Sequence, residues 1–317
     1  MNFQIPIVEN LAKQKNCMDL LNEHHVTGII YHYFPEFSVH NDCMLQYKKQ
    51  WIHNHVLLNV IEEISTHAAI FKTSATLLKG ADLLLDIYTD VGSRFLSDID
   101  LLIPAEDSAK WENLLSKLGF EPTRLQSFYG NRFKKEWIKK IGEVEVNIEL
   151  HTSLFFHLKK ENWQTTGTPY LNLTRLKNED MLIHLCGHVA CQHSFLCLYW
   201  IFDIYFFYQK HFHELDWNLL KSKSIEHNLF TSVQMCLWIL SQHFGVRLES
   251  EIERLFEINK KKWWMNLLTI SFLLNPMEKK YKYYLVKQAT KDQITSALRY
   301  DLSWFFHYKI QRLWSKQ

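Results

Sequence analysis

Two aspartates in this 317-residue chain, Asp98 and Asp100, stand two positions apart at the start of an apolar run. Residues spaced by two on a strand point to the same face, with backbones roughly 7 Å apart. Their carboxylates can therefore converge on one hard cation, and Mg²⁺ is usually held by one or two carboxylates together with substrate phosphates. The pair thus indicates a magnesium-dependent reaction on a phosphorylated substrate.

A turn just upstream of the two aspartates is a candidate phosphate site. Gly92 permits a close backbone approach, and Ser93 and Arg94 offer a hydroxyl and a guanidinium to a polyphosphate. A phosphate cradle beside a strand with paired carboxylates is the arrangement that metal-assisted nucleotidyl transfer requires. Turn residues of these types are also ordinary structure, which is the alternative interpretation.

A third carboxylate is expected from residues 143–151, where polar and apolar residues alternate almost strictly. This alternation predicts a half-buried strand with Glu145, Asn147, Glu149 and His151 on one face. Glu149 is the preferred third ligand, because it lies at the end of the strand beside His151, and Glu145 is its rival. The third carboxylate would complete the metal site and accept the proton of the attacking group.

These motifs resemble an uncharacterised bacterial nucleotidyltransferase family of the DNA polymerase β-like superfamily. The resemblance covers about residues 70–280 and depends on Leu77-Leu78-Lys79-Gly80, Gly92-Ser93-Arg94, Ser97-Asp98-Ile99-Asp100 and Ile148-Glu149-Leu150-His151. It implies a palm that holds two Mg²⁺ ions with Asp98, Asp100 and Glu149. Ser93 and its turn would hold the triphosphate, and Lys79 would contact a phosphate or support the site.

Helices are predicted on both sides of this unit. Residues 44–69 contain no Gly or Pro and carry a broad apolar stripe, which is typical of a helix that packs on a core. Short strands are expected at 75–78, 98–103 and 143–151, with helices at 81–88 and 109–118. Beyond residue 162 the predicted helices are 179–208, 216–226, 229–244, 250–274 and 294–313.

The predicted fold class is therefore α+β. A small polymerase β-like nucleotidyltransferase palm with a mixed sheet is expected at 71–160, between an N-terminal helical segment at 1–70 and a larger helical substrate-binding domain at 161–317. Gly and Pro together make up only about 5 % of the chain, which excludes collagen-like and turn-dense β architectures.

Cysteine usage and hydropathy predict a cytoplasmic protein. The six cysteines have no CxxC spacing, and residues 1–8 lack the basic start and apolar run of a signal peptide. Reduced thiols are expected as a result. The most apolar stretch, 195–208, is too short to span a bilayer and contains Asp203, so no membrane partner is expected.

The helical half supplies candidates for an acceptor pocket. His188 and His193, together with His151 and Asp203, are assigned to it, although the two histidines of the helix could equally be core residues. A buried acid such as Asp203 must find a partner, since an unpaired one costs several kcal/mol. His184 and His188 have the i, i+4 spacing of a zinc site, but nothing else in the sequence requires zinc.

The predicted activity is Mg²⁺-dependent transfer of a nucleoside monophosphate from an NTP to a small-molecule or peptide acceptor, with release of pyrophosphate. AMP from ATP is the first expectation, because ATP is the abundant nucleotide. One alternative is an RNA- or protein-modifying transferase that docks its acceptor on residues 251–317, which carry 13 Lys or Arg against 6 Asp or Glu. A solvated helix face explains such charges more simply, so nucleic acid is the less favoured partner.

A second alternative is a catalytically silent NTP-binding scaffold. The set of three carboxylates argues against it, because a binding module does not need all three. The identity of the acceptor, the preferred base and the oligomeric state do not follow from the sequence.

Overall fold

The N-terminal part of the protein is helical. The computed structural model describes residues 5–37, 41–123, 134–155, 158 and 161–293. Four helices come first: α1 (Pro6–Ala12), α2 (Cys17–Glu23), α3 (Thr27–Tyr33) and α4 (Asn41–Ile70), with a 3₁₀ turn at Pro35–Phe37. Helix α4 contains the predicted helix 44–69, and it is long because no Gly or Pro interrupts it.

A mixed sheet follows, with seven strands among the described residues. They are β1 (Ala75–Leu77), β2 (Ile99–Leu102), β3 (Glu121–Pro122), β4 (Lys134–Ile141), β5 (Val144–His151), β6 (Thr165–Gly167) and β7 (Leu173–Leu176). Their spatial order is β3-β4-β5-β2-β1-β7-β6. Strand β2 runs parallel to β5, and β1 runs parallel to β7, whereas the other neighbouring pairs are antiparallel.

The alternation of residues 143–151 becomes strand β5, with Val146, Ile148 and Leu150 buried. Sequence reasoning did not predict β4, whose Lys-rich sequence hides its alternation, or the short strands β6 and β7. The strand pairing places β6 and β7 in the same sheet, beyond residue 160, at which the palm was predicted to end.

Two helices pack with the sheet, α5 (Lys79–Asp86) directly after β1 and α6 (Ser108–Lys117) after β2, with a 3₁₀ turn at Ala105–Asp107 before α6. The remaining helices form the C-terminal half. They are α7 (Asn178–Cys186), a π-helix (Gly187–Gln192), α8 (Leu198–His211), α9 (Trp217–Glu226), α10 (Phe230–His243), α11 (Ser250–Leu255), a 3₁₀ turn (Trp263–Asn266), α12 (Ile270–Leu274) and α13 (Lys280–Ala289).

Two helices predicted to be continuous are interrupted. The predicted helix 179–208 breaks after the π-helix, where Ser194 and Phe195 have positive φ angles of 51° and 62°. Neither residue is a glycine, so the break comes from tertiary packing and not from a local helix breaker. The predicted helix 250–274 divides into α11, a 3₁₀ turn and α12. The predicted helix 294–313 lies outside the described residues.

The buried apolar side chains form one continuous core. It runs from Ile5 in the N-terminal part through Ile148 of the sheet to Val286 of α13. None of the helices in the described ranges is both long and apolar enough to cross a bilayer.

Candidate active site

The parallel pairing of β2 with β5 brings two of the predicted carboxylates together. Asp100 lies directly opposite Glu149 in the strand register. A carboxylate oxygen of Asp100, one of Glu149 and a ring nitrogen of His151 all lie within 4.8 Å of one another, close enough to hold one metal ion. Glu145, the rival for the third position, is exposed four residues earlier on β5.

Three basic side chains neutralise this pair of carboxylates. Lys79 Nζ lies 3.0 Å from Asp100 Oδ1, and Lys134 Nζ lies 2.8 Å from Glu149 Oε1. His151 Nε2 is 2.8 Å from Asp100 Oδ1 and 3.3 Å from Glu149 Oε2. Asp100 is only 3 % exposed and Glu149 9 %. Buried carboxylates of this kind remain charged only when they are paired.

Burial and pairing act in opposite directions on the pKa values of the site. Burial raises the pKa of Asp100, but Lys79 and His151 outweigh it and hold that pKa well below its usual value. The pKa of Glu149 is lowered in the same way, because the hydrogen bond from His151 and the charge of Lys134 outweigh burial. Burial opposes the charge on His151, yet its two carboxylate partners raise its pKa.

Asp98 lies one residue before β2 and outside the group formed by Asp100, Glu149 and His151. Its Oδ1 accepts a hydrogen bond from Ser97 Oγ at 2.9 Å. Burial and the negative charges of Asp100 and Glu149 raise the pKa of Asp98 to about 6. A bound cation would favour its ionised form, because opposite charge at short range lowers a carboxyl pKa.

The turn predicted to hold phosphate is packed inside the protein. Ser93 is fully buried, and its hydroxyl donates to the carbonyl of Asp90 at 2.7 Å. Arg94 is 3 % exposed, and its Nε and Nη2 bind the two carboxylate oxygens of Asp203 at 2.9 and 2.7 Å. A Cβ built on Gly92 would lie 2.7 Å from an aromatic ring of α4. The hydroxyl of Ser93 and the guanidinium of Arg94 are therefore bonded to groups within the protein.

Asp203 finds the partner that its buried position required. In addition to Arg94, it accepts a hydrogen bond from Tyr88 Oη at 2.7 Å. The same guanidinium packs under Gly80, where an added Cβ would lie 2.3 Å from Arg94 Nη1. Gly80 follows Lys79 at the start of α5. The Arg94–Asp203 pair therefore supports the turn from which Lys79 reaches Asp100.

Two of the histidines predicted for the acceptor pocket form a cluster with an indole. The ring centroids of His188 and His193 are 4.5 Å apart, and those of His193 and Trp200 are also 4.5 Å apart. His184 is 1 % exposed, and neither of its ring nitrogens has a hydrogen-bond partner among the described residues. These histidines do not belong to any candidate metal group in the described part of the chain.

Comparison with known proteins identifies the family. A family profile described as "Uncharacterised nucleotidyltransferase" matches residues 11–245, about three quarters of the chain. The chain belongs to this nucleotidyltransferase family. Among solved structures it is similar to an antigenic nucleotidyltransferase-like protein from Paracoccidioides brasiliensis, with 15 % identity and a TM-score of 0.38. That similarity covers 63 % of this chain and 91 % of the other. No curated protein matches the sequence.

One basic residue of this nucleotidyltransferase, Lys134, was missed by sequence reasoning. It reaches Glu149 because β4 pairs with β5 so that Lys134 lies opposite His151. A signal for this hairpin was present, since Gly142 separates residues 134–141 from the alternating strand. Gly142 has a φ angle of 60°, which glycine adopts readily in tight hairpin connections.

Proposed function

We propose that this nucleotidyltransferase uses Mg²⁺ to transfer a nucleoside monophosphate, AMP from ATP in the first instance, to a small-molecule or peptide acceptor. The observation that carries the proposal is the register of β2 and β5, which sets Asp100 opposite Glu149 in a buried site. A binding module or a purely structural sheet has no need for two buried, ionised carboxylates side by side, because burying them costs free energy.

The chemistry of the donor set fits Mg²⁺, which prefers carboxylate oxygens. Asp98, Asp100 and Glu149 would hold two ions. When bound, the metal neutralises charge on the transferring phosphoryl group. Lys134 and His151 keep the carboxylates of the site ionised and oriented through the short contacts described above.

We assign the β- and γ-phosphates to the start of α5 in place of the turn at 92–94. Among the described residues no side chain caps the N-terminus of this eight-residue helix, and uncapped N–H groups at a helix N-terminus favour an anion. Lys79 adds a positive charge at the same point, next to Asp100. Arg94 then acts as a positioning residue, because it packs against Gly80 and pairs with Asp203.

In the proposed reaction an oxygen of the acceptor attacks the α-phosphorus of the NTP. The bond between that phosphorus and the oxygen bridging to the β-phosphate breaks. Pyrophosphate leaves with the bonding electron pair, and the proton of the acceptor passes to Glu149. His151, which contacts both Asp100 and Glu149, orients the two carboxylates relative to each other.

The proposal is tested with α-labelled NTPs, Mg²⁺ and a fractionated cell extract, by measuring label transfer and pyrophosphate release. Asp100→Asn and Glu149→Gln should each reduce transfer by at least about 100-fold, a loss typical for removal of a transition-state electrostatic contact. Glu145→Gln is the matched control, because Glu145 is an exposed glutamate on the same face of the same strand. It should retain full activity.

The location of the label separates the alternatives. Label in small molecules or peptides supports the proposed acceptor class, whereas label in RNA or intact proteins assigns the macromolecular alternative. Equal transfer by the wild type, Asp100→Asn and Glu149→Gln would exclude the proposed site. NTP binding with no transfer in any fraction would indicate the silent scaffold.

A further inference from the structure

Two aromatic side chains of the C-terminal half, His193 and Trp200, pack against each other. The imidazole of His193 lies over the indole of Trp200, with centroids 4.5 Å apart and planes inclined by 33°. His188 closes the cluster edge-on, 5.1 Å from the indole. His193 and Trp200 are both only partly buried, so part of the pair is accessible to a ligand.

Contacts of the two neighbouring residues, Gln192 and Tyr199, indicate where this pair lies. Gln192, the residue before His193, donates its side-chain amide to the carbonyl of Leu154 at 2.9 Å, three residues beyond His151. On the other side, Tyr199 lies 5.2 Å from the Arg94 guanidinium and packs edge-on against Phe95. The His193–Trp200 pair therefore lies near the chain that follows β5 and near the chain that leads to Asp98.

The electrostatics of the site agree with this position. Lys79, Lys134, Glu149 and Asp100 all act on His193, and burial together with the two lysines lowers the pKa of His193 to about 4. The negative charge of Asp98 contributes to the raised pKa of Tyr199, after burial as the main cause. Coulombic effects weaken with distance, so these effects agree with a position of the pair near the carboxylates.

The backbone that presents the pair is unusual. The chain leaves the π-helix at Gln192 and turns through Ser194 and Phe195, which have positive φ angles. Left-handed backbone is disfavoured for residues with a side chain, especially a bulky one, and π-helical turns are often found at functional sites. Phe195 is fully buried, so its packing holds the turn in this conformation.

The chemistry of the cluster of His188, His193 and Trp200 indicates the kind of ligand that it can bind. Burial and the charge of Lys79 lower the pKa of His188 and of His184, so the imidazoles are neutral at pH 7. A neutral, partly open aromatic surface suits the face of a neutral planar ring. Every nucleobase has such a face, and stacking on an aromatic side chain is a general way of binding it.

We infer that His193 and Trp200 form the platform on which the nucleobase of the NTP stacks, while the phosphates lie at Lys79. The inference rests on the proposed function, since it takes an NTP as the ligand of this site. It assigns to the nucleotide two residues outside the candidate metal-binding group.

The test compares the binding of ATP and of inorganic tripolyphosphate by calorimetry, with Mg²⁺ present and the full chain. Trp200→Leu should weaken ATP binding by about 5- to 100-fold, the range that base stacking contributes, and leave tripolyphosphate binding unchanged. Trp200→Phe should recover most of the loss. Trp263→Leu is the matched control, because Trp263 is 59 % exposed in a different part of the chain.

The inference is overturned if Trp200→Leu binds ATP as tightly as the wild type does. It is also overturned if the substitution lowers the affinities for ATP and for tripolyphosphate by the same factor. A lower turnover with unchanged ATP binding would also overturn it, because the acceptor would then occupy the platform. If Trp200→Leu does not fold, the test uses the wild-type protein alone. Equal affinities of the wild type for ATP and for tripolyphosphate would then exclude a base subsite. Absence of label transfer would defeat the proposed function and leave this binding comparison valid.

Discussion

At the scale of single residues, the candidate site depends on the buried ion pair Arg94–Asp203, which does not contact Asp100 or Glu149. Arg94 binds Asp203 through two hydrogen bonds and supports Gly80 from below. Removing one partner of such a pair leaves an uncompensated buried charge, which is more damaging than the pair is stabilising. The pair is therefore a sensitive point for both folding and the position of Lys79.

We expect Asp203→Ala to lower the free energy of unfolding by about 3–5 kcal/mol, because the Arg94 guanidinium then lies buried without a counter-charge. Asp216→Ala is the comparison variant. Asp216 caps helix α9 by accepting hydrogen bonds from two backbone N–H groups, and loss of such a cap costs about 1 kcal/mol. Urea denaturation measures both variants. A cost for Asp203→Ala no greater than that for Asp216→Ala would show that the pair is unimportant.

At the scale of elements, helix α5 links the candidate site to the C-terminal helices. Lys79 at its start contacts Asp100, and Asp86 at its end binds residues of β7 and α8. Arg175 Nη2 lies 2.6 Å from Asp86 Oδ2, and His211 Nε2 lies 2.7 Å from the same oxygen. Helix α5 therefore joins the Lys79–Asp100 contact at its start to the Asp86 contacts at its end over only eight residues.

The contact between His211 and Asp86 makes the stability of the fold depend on pH. Burial opposes the charge on His211, but Asp86 and Glu214 outweigh it and raise its pKa above the usual 6.5. A raised pKa in the folded state stabilises the fold fully below about pH 6.5, and this contribution is lost as pH rises through the folded-state value. His211→Gln should therefore be less stable than the wild type at pH 6 and closer to it at pH 8.5. Denaturation at a series of pH values measures this difference, and parallel stability curves for the two proteins would contradict it.

At the scale of the whole molecule, the sheet and the helices share one core. Strand β7 pairs with β1 on the side opposite to β2, although the two strands are about a hundred residues apart in sequence. The same apolar cluster contains residues of the N-terminal helices, the sheet and α13. The three predicted domains therefore do not have separate apolar interiors among the described residues.

We expect a chain that ends at residue 160 not to fold cooperatively. Truncation removes β6 and β7, exposes one edge of β1 and uncovers core residues such as Leu77 and Ile148. Circular dichroism with thermal melting and limited proteolysis test this against the full chain. A sharp melting transition and a protease-resistant fragment from the truncated chain would instead support an independent palm.

Local patterns account for the parts of the site and fold that sequence reasoning predicted. The spacing of Asp98 and Asp100 and the alternation through Glu149 are properties of a strand, whose side chains alternate regardless of what lies beside it. The long helix α4 follows from an uninterrupted run of residues without Gly or Pro. Arg94 was predicted to contact the phosphates because the residues before it in the sequence suggest a turn. A turn sequence does not show which distant side chain pairs with the residues of the turn.

By itself, the sequence determined that two strands carry carboxylates and that helices surround them, because periodicity and chain breakers act over a few residues. Only the tertiary structure decided that Asp100 lies opposite Glu149 and not Glu145. It also decided that Lys79 and Lys134 neutralise Asp100 and Glu149, and that Arg94 pairs with Asp203. Register, burial and charge pairing depend on which distant segments meet, and that is settled by packing of the whole chain.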